Sequence, residues 1–367
     1  MIDERAARMA LCALEPLGAP AFLRALQTFG AVELWQGFLA QGESTAWGRR
    51  ARAVDPAEVE RRTAACGARF LIPGDDEWPA PLADLDQAVV AQQTGEPVGL
   101  WVLGRSLGEL TACVAVVGAR AASAYGEHMT LELAADLASA GRVVVSGLAF
   151  GVDAAAHRGA LGVRGQTVAV VACGVDDPYP AANRRLAEAV IDSGALVSEL
   201  PPGSRPTRYG FLARNRIIAG LSAAVVVTEA AARSGAKNTA SWASAVGRHL
   251  LAVPGPINSS LSATPHRLIR DGVAILCTGA ADVEELLGPL GEVDDGDGRG
   301  EARAIDRLRP ALLAIREAVR PREEVSAAQL SARTGQAMVE VLAGACELVE
   351  KGWLDEADGG FTLPRRR

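Results

Sequence analysis

From residue 111 to about 288, short and nearly continuous runs of Val, Ala and Leu alternate with longer stretches of helical period. The runs fall at 113–117, 143–146, 167–172, 195–198, 223–228, 249–253 and 273–277. A strand that is apolar throughout is covered on both faces, the condition of a parallel sheet between helical layers. Six or seven such strands, each followed by a helix, predict a doubly wound α/β domain. Ahead of them, Leu11, Leu14, Phe22, Leu23, Leu26, Phe29, Val32, Leu34 and Trp35 recur at helical spacing, broken at Pro16-Leu17-Gly18 and Gly30. Short helices are therefore expected over residues 1 to about 50. Residues 51–110 are mixed: a turn, Pro73-Gly74-Asp75-Asp76-Glu77-Trp78-Pro79, precedes an apolar piece at 98–104 that reads as a strand.

Beyond the regular region, residues 289–304 are rich in Gly and acid and read as a flexible linker. A new pattern then starts. Leu308, Leu312, Ile315 and Val319 mark one amphipathic helix, Ser326 can cap a second, and Gly335 turns it into a third over 337–351. Residues 352–363 look like a β-hairpin. Three helices and a hairpin predict a winged-helix layout. Its third helix carries Glu340, Glu347 and Glu350, with Lys351 only at the end, so contact with protein is at least as well supported as contact with DNA. The expected division is a helical module at 1–55, the α/β domain at 56–288, the linker at 289–304 and the winged helix at 305–367, with no internal repeat.

The chain has 367 residues, 49 % apolar and 22 % charged, an ordinary composition for a soluble globular protein. No apolar run approaches the roughly 20 residues that span a bilayer, so no membrane association is expected. Asp3, Glu4 and Arg5 stand where a signal peptide would be apolar, and a cytoplasmic location is expected. The six cysteines, at 12, 66, 113, 173, 277 and 346, form no CxxC pair and read as buried reduced thiols. The four histidines are scattered without HxxxH or HExxH spacing, and neither a metal site nor a cofactor is expected.

The net charge is −7, which excludes a protein whose whole surface coats nucleic acid. The charge is unevenly placed: residues 111–288 hold 15 basic and 14 acidic side chains, the flanks 22 and 30. An anion site should be a local pocket in the middle of the chain. Arginine richness alone carries no weight, since only two of the 37 basic residues are lysines.

Three glycine loops follow predicted strands. Gly118-Ala119-Arg120 ends the first; Ser146-Gly147-Leu148-Ala149-Phe150-Gly151-Val152-Asp153 follows the next and feeds a helix; Ser234-Gly235-Ala236-Lys237-Asn238-Thr239 lies beyond 223–228. Such loops let backbone approach a ligand, and ligands of doubly wound sheets bind at the carboxyl ends of the strands. None is GxGxxG, so a dinucleotide fingerprint is absent. Alone they are equally well read as tight turns, Asp153 as a helix cap and His157 as a satisfied helical histidine. Residues 200–228 contain no acid, yet carry Arg205, Arg208, Arg214 and Arg216 with Tyr209 and Phe211 between them. Guanidinium forks bind phosphate and aromatic faces stack unpaired bases. Ile217, Ile218 and Leu221 anchor a helix here, which places Arg214 and Asn215 near its N-terminus. No nucleophile elbow, Cys–His spacing or carboxylate pair stands out.

These blocks, in this order, resemble the DNA-processing protein A (DprA/Smf) family. The matching segments are 114–120 (VAVVGAR), 146–157 (SGLAFGVDAAAH), 167–174 with 179–183 (YPAAN), 198–203 (SELPPG), 211–222 (FLARNRIIAGLS), Glu229-Ala230, 234–240 (SGAKNTA) and 252–255 (AVPG). The lead-in Gly74-Asp75-Asp76-Glu77-Trp78-Pro79 is similar as well. The resemblance implies an extended Rossmann-like domain with a mainly parallel sheet, an N-terminal module of the SAM or helix-hairpin-helix kind, and the C-terminal winged helix. It implies a non-enzymatic recombination mediator that binds and protects single-stranded DNA, loads the RecA recombinase in natural transformation and homologous recombination, and dimerises through the Rossmann-like domain, with helices between 238 and 290 at the interface. The family's phosphate-binding turn falls on Gly118-Ala119-Arg120, its preceding basic residue on Arg208, its base-contacting Phe on Phe211, and the first Arg and Asn of that block on Arg214 and Asn215. Ala119 stands where the family usually has Ser or Thr, and Leu212 where it has Pro.

The expected contact set for the strand is therefore Gly118, Arg120, Ser146, Gly147, Gly151, Asn183, Arg184, Arg208, Phe211, Arg214, Asn215, Arg216, Ser234, Gly235, Lys237 and Thr239. Two rivals stand beside it. One is a Rossmann-like hydrolase cleaving nucleoside monophosphates, for which Glu199 and Glu229 are the available acids. The other is a nucleotide-sensing interaction protein without DNA affinity.

Overall fold

A computed structural model describes residues 2–14, 17–110, 112–232, 234–288 and 304–364. The chain divides into two compact units, Met1–Glu292 and Val293–Arg367.

The first unit opens with α1 (Glu4–Cys12), α2 (Pro20–Gln41), α3 (Ala46–Arg52) and α4 (Pro56–Ala65). Side-chain caps explain three of the four starts: Asp3, Thr45 and Asp55 each accept a first-turn N–H. Gly30 leaves helical geometry inside α2, at the break the sequence predicts. Then come β1 (Arg69–Leu71), a small antiparallel ribbon of β2 (Val89–Val90) and β3 (Gln93–Thr94), and β4 (Leu100–Gly104).

From β5 (Cys113–Val117) onward the alternation is regular: α5 (Ala124–Ser139), β6 (Val143–Ser146), α6 (Val152–Gly162), β7 (Thr167–Val170), α7 (Arg184–Ser193), β8 (Ala195–Ser198), α8 (Arg208–Leu221), β9 (Ala224–Val227), α9 (Ala236–Ala245), β10 (His249–Ala252), α10 (Ala263–Arg270), β11 (Ile275–Leu276) and α11 (Ala280–Leu287). All seven predicted strands are present. They form one sheet with β1 and β4, in the order β1-β4-β8-β7-β6-β5-β9-β10-β11. β1, β4 and β8 pair antiparallel; from β8 to β11 every pairing is parallel. Every residue of β5, β6, β7, β8 and β9 is buried, as strands covered on both faces must be. One core face gathers Ala115, Val145, Val170 and Ile217; the other gathers Val114, Val116, Leu133 and Val144. The N-terminal helices share a third core with the antiparallel edge, where Phe70 and Trp101 meet Leu11, Leu34 and Trp35.

The winding direction reverses between β5 and β9. β6, β7 and β8 lie on one side of β5, β9, β10 and β11 on the other. The loops leaving these two neighbouring strands must diverge, and a crevice opens between them at the carboxyl end of the sheet.

The second unit contains α12 (Pro310–Glu317), α13 (Ala327–Thr334), α14 (Met338–Glu350) and a hairpin of β12 (Asp355–Ala357) and β13 (Gly360–Thr362), with Val325 bridging to Phe361. Ser326 caps α13 through a capping box with Gln329, and left-handed Gly335 ends it. The elements occur in the expected order around Leu312, Ile315, Leu330, Val341, Leu348 and Phe361. The predicted linker lies, save for Ala304, outside the described residues. Among the described residues no helix is long and apolar enough to cross a membrane, and no group of three or more His, Cys, Asp or Glu could hold a metal ion.

Candidate nucleic-acid interface

The crevice between β5 and β9 is a cleft of about 470 Å³. The loop after β5 contributes Gly118, Ala119 and Arg120; the loop after β6 contributes Ala149; α6 contributes Asp153; α8 contributes Phe211, Arg214 and Asn215; the loop after β9 and the first turns of α9 contribute Ser234, Gly235 and Thr239. Residues far apart in the sequence thus meet because their strands are neighbours.

Two contacts hold the Arg120 loop in place. Glu229 is buried and its carboxylate accepts from both the backbone N–H and the hydroxyl of Ser123, at 2.8 and 2.6 Å. Ser123 in turn caps α5 by accepting from Gly126 N–H. On the other side Gly151, at φ +69°, brings its loop so near that a Cβ would meet the carbonyl oxygens of Ala119 and Arg120. The side chain of Arg120 is exposed and its guanidinium lies 4.4 Å from the centroid of the Phe211 ring. Tyr179 meets the same ring edge-on, at 6.2 Å between centroids.

Helix α8 begins earlier than the sequence suggests. Thr207 accepts from Gly210 N–H and starts the helix at Arg208. Arg214 and Asn215 are therefore mid-helix, not at its N-terminus. Arg208 and Phe211, three positions apart, share a helix face; Phe211 lines the cleft, whereas Arg208 is exposed and is not among the lining residues. Arg205 is exposed just before the helix. Neither Arg120, Arg205 nor Arg208 has a carboxylate partner among the described residues. Tyr209 points elsewhere: its hydroxyl donates to Leu17 O at 2.7 Å, because positions two apart on a helix face different ways.

Arg214 forms the cleft floor. It is buried, donates to Gly147 O and Val170 O at 2.6 and 2.5 Å, and lies 3.7 Å from the Asp153 carboxylate. A Cβ on Gly147 would strike this guanidinium, which explains the glycine. Burial pushes the Asp153 carboxyl up from its ordinary value, against the pull of Arg214, and pushes the Arg214 guanidinium down. His157, behind them on α6, bonds Thr167 Oγ1 at 2.7 Å through Nδ1, and burial pushes it down to about 3, so it is neutral near pH 7. Asn215 accepts from Arg214 Nε and donates to Asn238 Oδ1.

Several expected contact residues are placed away from the cleft. Arg216 is fully buried, ion-paired with Glu199 at 2.7 Å, and donates to Gly95 O and Ala213 O. Two positions beyond Arg214 on a helix, it faces the N-terminal helices, and its charge is met there. The Ser146 hydroxyl is buried and donates to Val116 O. Asn183 is buried and donates to Leu148 O, holding the second glycine loop from behind. Arg184 is exposed and pairs with Asp177. Lys237 is exposed beside Ser241, Ser244 and Val273 on the outer side of α9. Glu199 and Glu229, the acids available to a hydrolase, are both buried and engaged, and neither lines the cleft. Among the described residues, the only carboxylate that does line it is buried Asp153. Phe150 and Tyr179 reach the cleft mouth although the expected contact set omits them. Each is an aromatic side chain in a loop after a strand, with no apolar period to bury it.

The fold and cleft define a Rossmann-like α/β protein with a basic, aromatic-edged crevice at its switch point. The chain belongs to the DNA recombination-mediator protein A family, whose model matches residues 69–288. It is 43 % identical over 319 residues to a protein of Mycobacterium tuberculosis described as a putative DNA processing protein DprA, covering 86 % of this chain and 81 % of that one. It is 36 % identical to protein Smf of Escherichia coli, over 81 % of this chain and 78 % of the other. The X-ray structure of DNA processing protein A from Streptococcus pneumoniae is similar with a TM-score of 0.63 and 32 % identity, over 77 % of this chain and 97 % of that one. A structure of the Helicobacter pylori protein, described in terms of its single-stranded DNA binding mode, is similar with a TM-score of 0.53 and 27 % identity, over 60 % and 97 %.

Proposed function

We propose that this protein binds single-stranded DNA in the cleft at the β5–β9 switch point and acts as a recombination mediator. The observation that carries the reading is the exposed Arg120 stacked over Phe211, with Arg208 one turn away and no carboxylate partner for either among the described residues. Unpaired guanidinium groups beside an aromatic ring suit a sugar-phosphate chain whose bases are free to stack. Arg120 and Arg208 hold phosphates, Phe211 receives a base, and the loop at Gly118 and the start of α9 at Ser234 and Gly235 approach the backbone closely. Arg214 and Asn215 shape the floor. The Helicobacter pylori relative, described as binding single-stranded DNA, supports the same ligand here. A nucleotide hydrolase would need a carboxylate free to work in the cleft, and Asp153 is buried against Arg214.

In this reading the protein covers incoming single strands and passes them to RecA. The apolar residues Val273, Ile275 and Leu276, half-exposed at the open sheet edge formed by β11, support dimerisation through this domain. The small C-terminal unit is a winged helix serving protein contact, since the exposed residues Met338, Val339 and Leu342 of its third helix are apolar.

The test is fluorescence anisotropy with labelled oligo-dT and a matching duplex. Tight, strongly salt-dependent binding of the single strand, weakened in an Arg120→Ala, Arg208→Ala variant, supports the reading. Release of ribose phosphate from AMP without DNA affinity returns the protein to the hydrolases.

A further inference from the structure

Four aromatic side chains stand out as exposed among the described residues: Phe29, Tyr125, Phe150 and Tyr179. Two of the four sit together at the mouth of the cleft. Phe150 and Tyr179 are each 48 % exposed and border one small recess with Arg120, Gly147, Pro180 and Phe211. A single exposed apolar side chain is ordinary, but a contiguous exposed pair rimmed by a basic group marks a binding surface. The recess shares Arg120, Ala149 and Phe211 with the main cleft, so the two surfaces are continuous.

Phe211 alone is a limited stacking platform. One face of its ring is covered by the Arg120 guanidinium, and its edge is met by Tyr179. The greater free aromatic area lies one step outward, on Phe150 and Tyr179. Both come from loops held by the interior: Asn183 ties down the Leu148 and Ala149 carbonyls beside Phe150, and the Cys173 thiol accepts from Tyr179 N–H. Rings on anchored loops lose little freedom when a base stacks on them.

We infer that Phe150 and Tyr179 form a second base-stacking subsite, which receives the nucleotide adjoining the one at Phe211. This rests on the proposed strand binding in the cleft and deepens it. The subsite reads no sequence, since every base presents a π-face. It contributes through bases, whereas Arg120 and Arg208 contribute through phosphates.

The experiment compares oligo-dT with an abasic strand of the same length and charge, over a salt series, for the unaltered protein and for a Phe150→Leu, Tyr179→Leu variant. Leucine keeps apolar bulk and removes the ring; a Tyr179→Phe variant keeps the ring. The double variant is expected to lose roughly tenfold or more in affinity for oligo-dT, with the salt slope unchanged and no loss on the abasic strand. Tyr179→Phe is expected to bind as the unaltered protein does. Equal affinity of the double variant and the unaltered protein for oligo-dT overturns the subsite, as does an equal loss on both strands. If Arg120→Ala still weakens binding in that case, the cleft reading stands and only the subsite falls. If the unaltered protein binds neither strand, both fall.

Discussion

The first turn and the middle of one helix use the same side chain in opposite ways. At the start of α8, Arg208 is exposed one turn before Phe211, the ring that Arg120 covers. In its middle, Arg214 and Arg216 are buried, one against backbone carbonyls and Asp153, the other against Glu199. An exposed, unpaired guanidinium is available to a phosphate, and removing it leaves the fold alone. A buried one is part of the fold, and removing it strands the charge it answers. The short acid-free run that carries all four arginines conceals this division, because the answering carboxylates lie outside it.

The largest expected effect comes from breaking the buried middle. Arg216→Ala leaves Glu199 charged and unpaired in the interior, which should cost about 3–5 kcal/mol of stability. Chemical denaturation would register it, and DNA affinity should change only as far as the protein unfolds. A loss below about 1 kcal/mol would place Arg216 outside the core.

Acid should also act on the buried side. His157 is held at about 3, below the ordinary value near 6.5, so the unfolded chain takes up a proton that the folded one refuses. The stability tied to neutral His157 is present above pH 6.5 and is lost as pH falls toward 3, at up to about 1.4 kcal/mol per pH unit. Asp153 is shifted upward and works in the other direction, but only where carboxylates titrate. Melting temperature against pH, compared with His157→Gln, measures the slope; identical profiles would refute the assignment.

The exposed end sharpens the contrast. Arg120→Ala with Arg208→Ala should lower single-strand affinity on the order of 100-fold at low salt and reduce the salt slope by about 1.4, while stability stays within about 0.5 kcal/mol. Phe211→Ala should cost about 1–3 kcal/mol of binding with the salt slope intact. Smallest of all, Arg184→Ala should change neither binding nor stability measurably, since its charge is engaged in an exposed pair with Asp177.

Much of the sheet was legible in the sequence because it is a local property. A doubly buried strand such as 113–117 must be apolar at every position, and all seven apolar runs contain strands, although the last of them, β11, is an edge strand whose Ile275 and Leu276 are half-exposed, not covered on both faces. The three-residue β1 carries too little pattern to be read, and it exists because β4 offers it an edge. The cleft was legible in its glycine loops, in Arg120 and Ser234, which lie in loops after strands, and in Phe211, which stands in the acid-free arginine run. It was not legible in Arg216, Asn183 or Ser146, whose partners Glu199, Leu148 and Val116 come from other strands and loops. A charged or polar residue in a good motif looks the same whether it faces a ligand or the interior, and only tertiary neighbours decide. Phe150 and Tyr179 show the converse: their exposure is a tertiary fact that no periodicity announces.

The most direct test of the account is the salt dependence of oligo-dT binding in the unaltered protein and the Arg120→Ala, Arg208→Ala variant, with the duplex as reference. The account predicts a preference for the single strand, a steep fall in affinity with salt, and a shallower fall in the variant. Identical affinity and slope in the two proteins would contradict it.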